Sequence, residues 1–258
     1  MGVTDIDNVL MLLASSIDMP EAYRNIVTAQ MIKGFDEQCK LAGTVVSGGQ
    51  SVRNPWPIIG GVAQSICKKE DIIMPINAVP GDVIVLTKPI GTQLAVNAKQ
   101  WMWDKEKWSK YAPHCSERTV RRAFHMANQS MMRLNKIGAE LMHKHGAHAA
   151  TDVTGFGIIG HLDALCKTQL ADVSMELHTL PILAGMAQLS QHTSFRLLEG
   201  FSAETSGGLM ICLPPQAAEA YVKEIESIEG QPAWIIGRVT EKQTERAKLT
   251  ADYKIIEV

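Results

Sequence analysis

Short β-strand patterns alternate with longer helical patterns through most of the sequence, and this alternation restricts the possible folds more than any other feature. Runs rich in β-branched and aliphatic residues predict strands at residues 83–88, 147–153, 173–177, 208–213 and 233–239. Apolar residues at helical spacing predict helices at residues 92–101, within 117–145, and at 158–167, 183–189 and 217–228. Because the elements alternate without an internal repeat, the pattern predicts an α/β or α+β fold.

The N-terminal part of the chain follows a different order. Pro20 starts a predicted helix that Gly43 ends, and its apolar residues recur at every fourth position: Tyr23, Val27, Met31, Phe35 and Cys39. Residues 44–46 and 56–67 predict two strands. The apolar run at residues 9–14 fits either a buried strand or a helix fragment, and its periodicity does not decide between them.

A turn separates these two parts. Pro80, Gly81 and Asp82 form a typical turn sequence directly before the first strand of the alternating region. We therefore predict a partial N-terminal domain over residues 1–80 and a C-terminal α/β domain over residues 81–258. The sequence opens with a few polar residues and then an apolar run typical of a central element, so we expect the N-terminal domain to be truncated.

Composition excludes several classes of protein. Lys and Arg total 25 against 27 Asp and Glu, and this balance lacks the basic excess typical of nucleic-acid binders. No apolar run is long enough for a membrane span, and the first residues lack the basic-then-apolar pattern of a secretory signal. The five cysteines are scattered without a C-x-x-C pair, which favours free, mostly buried thiols and a cytoplasmic location.

The first candidate site is a glycine pair that follows the predicted strand at residues 44–46. Ser47 precedes the segment Gly48, Gly49, Gln50 and Ser51. Paired glycines let backbone N–H groups approach an anion without a Cβ in the way, and clusters of such groups bind phosphate. The segment is not a Walker A loop, and a glycine pair after a strand, taken alone, is more often a simple turn.

The second candidate site centres on Asp152, at the end of a predicted strand and before a glycine-rich helix start. A carboxylate in this position can hold Mg²⁺ while nearby backbone amides hold phosphate. Gly155, Gly157 and Gly160 formally match the dinucleotide fingerprint, but no second mononucleotide half follows, so we reject a Rossmann site. An N-cap or turn residue is the alternative role for Asp152.

The third candidate is the segment Glu204-Thr205-Ser206-Gly207-Gly208, which leads into a strand. Hydroxyl groups and glycines before a strand suit contacts to an anion, but the segment taken alone favours a simple capped turn.

Taken together in this order, the three segments resemble selenophosphate synthetases. The motif T-D-V-T-G-F-G-x-x-G-H at residues 151–161 and the motif E-T-S-G-G-L at residues 204–209 are similar to two hallmarks of that family. Further segments resemble its eukaryotic-type members, at residues 43–51, 74–82, 86–91 and 233–237. The resemblance covers essentially the whole chain.

The resemblance implies an aminoimidazole-ribonucleotide-synthetase-like fold of two α/β domains, with homodimers that pair through their N-terminal domains. It implies a reaction in which ATP, hydrogen selenide and water give selenophosphate, AMP and orthophosphate. Asp152 matches a family Mg²⁺ ligand, and Gly48, Gly49, Gln50 and Ser51 match a nucleotide-contacting segment. We expect these two places to face one another across a cleft and to share a triphosphate.

The family's selenium-handling Cys or selenocysteine, its nearby Lys and further Mg²⁺-binding Asp residues belong to a region that this sequence does not match. No catalytic residue is therefore assigned, and we expect the chain alone to turn over little substrate. Two alternatives stay open. One is another superfamily member, such as aminoimidazole-ribonucleotide synthetase or a thiamine-phosphate kinase. The other is a non-catalytic nucleotide-binding or regulatory paralogue.

Overall fold

Two units make up the chain in the computed structural model, which describes all of residues 1–258. The smaller unit is Val3–Ile72, and the larger one combines Met1–Gly2 with Ile73–Val258. The assignment of residues 1–80 to an ATP-binding and dimerisation domain stays a prediction. None of the helices combines the length and the apolar content that a bilayer crossing requires.

The smaller unit is a three-stranded sheet with one long helix. Its elements are β1 (Asn8–Ser16), α1 (Glu21–Ala42), β2 (Val46–Asn54), β3 (Ile58–Gln64) and a short 3₁₀ helix (Lys69–Asp71). The central strand β1 pairs in parallel with β2 and antiparallel with β3. The apolar run that periodicity left undecided is therefore a strand. The helix ends where expected, at Gly43, whose φ of 82° places it in the left-handed conformation that favours glycine.

The larger unit is a six-stranded mixed sheet with the strand order β5-β7-β4-β8-β6-β9. Its strands are β4 (Val83–Leu86), β5 (Ala149–Asp152), β6 (Val173–Ile182), β7 (Leu209–Leu213), β8 (Trp234–Glu241) and β9 (Ala247–Glu257). Its helices are α2 (Thr92–Trp101), α3 (Lys105–Tyr111), α4 (Glu117–Met132), α5 (Lys136–Lys144), α6 (Gly157–Lys167), α7 (Met186–Ser190) and α8 (Pro215–Glu229). The predicted mixed α/β fold is confirmed, while α3 and β9 were not predicted.

Helices cover both faces of this sheet, and the central strand β4 shows why. Ile84 and Leu86 lie in one apolar core with residues of α2, α4 and α6, whereas Val85 lies in a second core with residues of α5 and α8. Side chains alternate between the two faces of a strand, so a strand buried on both sides needs a continuous apolar run. The sequence of β4, Val-Ile-Val-Leu, meets this requirement.

Candidate functional site

Three segments of the larger unit meet at the same end of three neighbouring strands, β5, β7 and β4. β4 ends at Leu86, β5 ends at Asp152, and β7 begins at Leu209. Because β7 pairs antiparallel with both β4 and β5, these three strand ends lie side by side. We call the segments that continue from them the Lys88 segment (residues 86–92), the Asp152 loop (residues 151–161) and the Gly207 loop (residues 204–209).

The Asp152 loop carries an exposed carboxylate at the end of a strand. Asp152 is the last residue of β5 and lies opposite Leu209 in the β5–β7 register. The loop then turns sharply into α6 at Gly157, whose φ is 71°. A Cβ at Gly157 would lie 2.6 Å from the carbonyl oxygen of Gly200, so only glycine allows this turn. The loop therefore presents an oxygen ligand beside a tightly fixed helix start.

His161, in the first turns of α6, holds the backbone of the same loop. Its Nε2 atom accepts a hydrogen bond of 2.9 Å from the backbone N–H of Thr154. Burial lowers the pKa of His161, against the opposing effect of the Asp152 charge. A ring nitrogen that accepts a hydrogen bond must be unprotonated, so His161 is neutral in this arrangement. Its role is to position the loop.

The Gly207 loop packs directly against the Asp152 loop. The backbone N–H of Val153 donates to the carbonyl oxygen of Gly208 over 2.9 Å, and that of Glu204 donates to Thr154 over 3.0 Å. A Cβ at Gly207 would lie 1.9 Å from the carbonyl oxygen of Val153. The glycines of this segment are therefore needed for close contact with a second loop.

The Lys88 segment binds the Gly207 loop at two places. The buried carboxylate of Glu204 accepts hydrogen bonds from the backbone N–H groups of Gly91 (2.7 Å) and Thr92 (3.0 Å), and from the Thr92 hydroxyl. The Nζ atom of Lys88 donates to the carbonyl oxygens of Ser206 (2.9 Å) and Arg133 (2.6 Å). The three segments thus form one hydrogen-bonded assembly.

Burial shifts the pKa of Glu204 and of Lys88 in this assembly. It raises the pKa of Glu204 to about 7, although the hydrogen bonds from Gly91 and Thr92 oppose the shift. It lowers the pKa of Lys88 to about 8, with a further contribution from the nearby Arg133 cation. Arg133 itself forms an ion pair of 3.0 Å with Glu229. Both buried charges are thus held by polar partners rather than left in apolar surroundings.

The segment Gly48, Gly49, Gln50 and Ser51 belongs to the smaller unit and does not form a loop. All four residues lie inside β2, where they pair with β1 through the register Gly49↔Met11 and its neighbours. The prediction of a loop after a strand at residues 44–46 is therefore wrong. The physical reason is that β1 supplies a parallel partner for the glycine pair, and a Cβ at Gly49 would lie 1.9 Å from the carbonyl oxygen of Met11. The four residues are exposed.

Sequence comparisons assign both the domain and the family. The profile described as "AIR synthase related protein, C-terminal domain" matches residues 79–250. A selenide, water dikinase of Dictyostelium discoideum is 52% identical over 265 residues, which cover 100% of this chain and 73% of that protein. The chain belongs to the selenide, water dikinase family. A human member, selenide, water dikinase 2, is 50% identical over 100% of this chain and 58% of its own length.

Solved structures confirm the fold expected for this selenide, water dikinase family member. E. coli HypE, described as a hydrogenase maturation protein, aligns with 92% of the chain and 68% of its own, at a TM-score of 0.66 and 15% identity. The thiamine monophosphate kinase of Aquifex aeolicus aligns with 98% of the chain and 75% of its own, at a TM-score of 0.63 and 16% identity. At this low identity the likeness concerns the fold alone.

Within this family member, the structure brings Asp152 together with the Gly207 loop, and the sequence motifs singled out both. Of the other side chains of the assembly, Arg133 lay outside every segment that sequence reasoning used. Lys88 and His161 lay inside segments that resemble the family, but neither was given a role. The signal that could have identified Lys88 is its place between an apolar strand and a Pro-Ile-Gly turn. A cation buried there without partners would be costly, so the lysine must have polar partners.

Proposed function

We propose that this chain is part of an enzyme that makes selenophosphate from ATP, selenide and water and releases AMP and orthophosphate. The observation that carries the proposal is 52% identity to a selenide, water dikinase across the whole chain. The chain spans 58–73% of the length of its relatives from mouse, human and Dictyostelium, so the activity of the whole protein is proposed rather than shown.

Asp152 is the proposed Mg²⁺ ligand of this chain. An exposed carboxylate at a strand end is the type of oxygen donor that Mg²⁺ prefers, and the adjacent loop brings glycine-opened backbone beside it. When bound, Mg²⁺ neutralises phosphate charge, which is the main requirement of phosphoryl transfer. The contribution of the chain is to fix Asp152 at the sheet edge, through the β5–β7 ladder and the Gly207 loop.

Gly48, Gly49, Gln50 and Ser51 are proposed to contact the nucleotide. Their exposure in β2 supports this proposal, because β2 is an edge strand of its sheet and Gly48 and Gly49 lack a Cβ. Replacement of Gly48 by Val should weaken nucleotide binding by steric exclusion. An unchanged dissociation constant for ATP would contradict the proposal that this segment contacts the nucleotide.

The protein is further proposed to be a cytoplasmic homodimer. Apolar side chains on one face of the smaller sheet support pairing, since Leu12, Val52, Ile58 and Val62 are all 48–52% exposed. Its five free cysteines, four of them buried, support a reducing compartment. Light scattering on the purified protein tests the dimer, and a monomer at micromolar concentration would contradict it.

The metal proposal is tested with Asp152→Asn. We expect the substitution to weaken Mg²⁺-dependent ATP binding by about tenfold or more, because a neutral amide loses the charge attraction to the cation. Asp163→Asn is the matched control, since Asp163 is half-buried on α6 and forms its ion pair with Lys167. Titration calorimetry with ATP, with and without Mg²⁺, measures the effect. Equal affinity of both variants would assign the metal to other residues.

The reaction itself is tested on the protein expressed from its native gene. Phosphorus NMR should detect AMP, orthophosphate and selenophosphate when ATP, selenide and Mg²⁺ are supplied. The 258-residue chain, assayed alongside, is expected to form little AMP. Nucleotide binding without selenide-dependent AMP formation by the native gene product would favour the non-catalytic alternative.

A further inference from the structure

We infer that Glu204 and Lys88 are positioning residues that clamp the Gly207 loop against the Asp152 loop, and that Mg²⁺-ATP binding depends on this clamp. The inference rests on the proposed function, because it concerns the loop geometry around the proposed metal ligand. It gives a role to two buried charged residues for which the family resemblance assigned none.

Glu204 holds the start of the loop. Glu204 is 5% exposed, and its carboxylate accepts hydrogen bonds from two backbone N–H groups at the N-terminus of α2. The first N–H groups of a helix have no partner within the helix, and they carry partial positive charge. No side chain of α2 itself caps this end. A carboxylate from the Gly207 loop therefore supplies the cap, and this ties the loop to the Lys88 segment.

Lys88 holds the middle of the loop. Its Nζ atom reaches the carbonyl oxygen of Ser206, a residue with a φ of 47°. This left-handed conformation is uncommon for a residue other than glycine and is adopted only where the surroundings impose it. Gly208 also packs on the same segment, since a Cβ there would lie 2.5 Å from the backbone nitrogen of Lys88. The clamp thus fixes a strained backbone.

The clamp acts on Asp152 through direct backbone contacts. Gly207 and Gly208 touch Val153, the residue after Asp152, and Glu204 donates its backbone N–H to Thr154. A shift of the Gly207 loop would therefore move the residues on the C-terminal side of the proposed metal ligand. Metal ligands lose affinity when the groups that orient them are lost, typically by one to two orders of magnitude.

Two variants test the clamp at pH 8, where Glu204 is mostly ionised. Glu204→Gln replaces one carboxylate oxygen by an NH₂ group, which cannot accept a hydrogen bond from the backbone N–H groups of Gly91 or Thr92. Lys88→Met removes the hydrogen bonds that Nζ donates to the carbonyl oxygens of Ser206 and Arg133. We expect each variant to raise the dissociation constant of Mg²⁺-ATP about tenfold. We also expect faster hydrogen exchange in the peptide that covers residues 204–208.

Three controls separate positioning from general loss of stability. Glu199→Gln and Lys167→Met remove exposed charges from local ion pairs, and both should bind Mg²⁺-ATP like the wild type. Val239→Ala shortens a buried side chain near the end of β8, whereas the start of β8 pairs with Leu86 beside the site. It should lower the free energy of unfolding while leaving the dissociation constant unchanged.

The outcomes distinguish the two proposals. If Asp152→Asn loses Mg²⁺-ATP binding while both clamp variants bind like the wild type, the clamp inference is overturned and the metal proposal stands. The clamp is equally overturned if Val239→Ala weakens binding as much as the clamp variants do. A wild-type chain that does not bind Mg²⁺-ATP overturns the metal proposal and, with it, the role of the clamp in binding.

Discussion

Two glycines of the candidate site differ in what a side chain would meet. A Cβ at Gly207 would lie 1.9 Å from the carbonyl oxygen of Val153, whereas a Cβ at Gly155 would find nothing within 4 Å. The obstacle at Gly207 is backbone from a neighbouring strand end, which cannot rotate away as a flexible side chain can. Identical residues in two motifs therefore have different structural importance.

Gly207→Ala should accordingly lower the free energy of unfolding by about 2 kcal/mol, the usual cost of forcing an extra methyl group into a packed region. Gly155→Ala should change it by no more than about 0.5 kcal/mol. Urea denaturation followed by circular dichroism measures both values. Equal effects of the two substitutions would mean that the Gly207 loop is not packed against Val153 in solution.

At the scale of the element, helix α2 depends on a residue that is distant in sequence. Glu204 lies 112 positions after Thr92, yet it supplies the carboxylate at the start of this helix. A cap from outside the helix connects secondary structure to tertiary structure, because the helix start is completed only when the Gly207 loop is in place.

This carboxylate should make stability depend on pH. Burial raises the pKa of Glu204 from 4.5 to about 7, so the folded protein holds a proton that the unfolded chain has already released. The associated stability is complete below pH 4.5 and is lost as the pH rises through 7. Relative to Glu204→Gln, the wild type should therefore lose up to about 3 kcal/mol across this range. Parallel pH profiles of the free energy of unfolding for the two proteins would contradict the assignment.

At the scale of the whole molecule, the two units differ in how thoroughly their sheets are covered. The larger sheet is buried by helices on both faces, and β7 is buried at all five positions. The smaller sheet has one helix, α1, and most residues of β2 and β3 are exposed. Fewer buried contacts and more exposed backbone hydrogen bonds lower the free energy of local opening.

Hydrogen exchange should therefore be faster in the smaller unit. At concentrations low enough for the chain to be monomeric, we expect peptides that cover β2 and β3 to exchange at least about tenfold faster than peptides that cover β4 and β7. Mass spectrometry of the native chain measures this difference. Equal protection in the two units would indicate that another surface covers the smaller sheet in solution, as the proposed homodimer would.

Most of the fold could be predicted because its elements carry local signals. Helix α2 was predicted with its observed bounds, Thr92–Trp101, and the apolar run at β4 predicted a strand. The last strand, β9, was missed because its residues are mostly exposed or half-buried, so it shows no clear apolar alternation. Its place depends on pairing with β6, which no local pattern reveals.

The sequence by itself determined the mixed α/β fold, the family and the position of Asp152 at a strand end, because these follow from local periodicity and from short motifs. Only the tertiary structure decided that the Gly48 segment lies inside a strand. It alone also decided that Lys88 and Glu204 join the Lys88 segment to the Gly207 loop, through partners 112 and 118 positions apart in the sequence. The reason is physical: a buried charge takes its partners from whatever the chain packs around it. Spacing along the sequence does not contain that information.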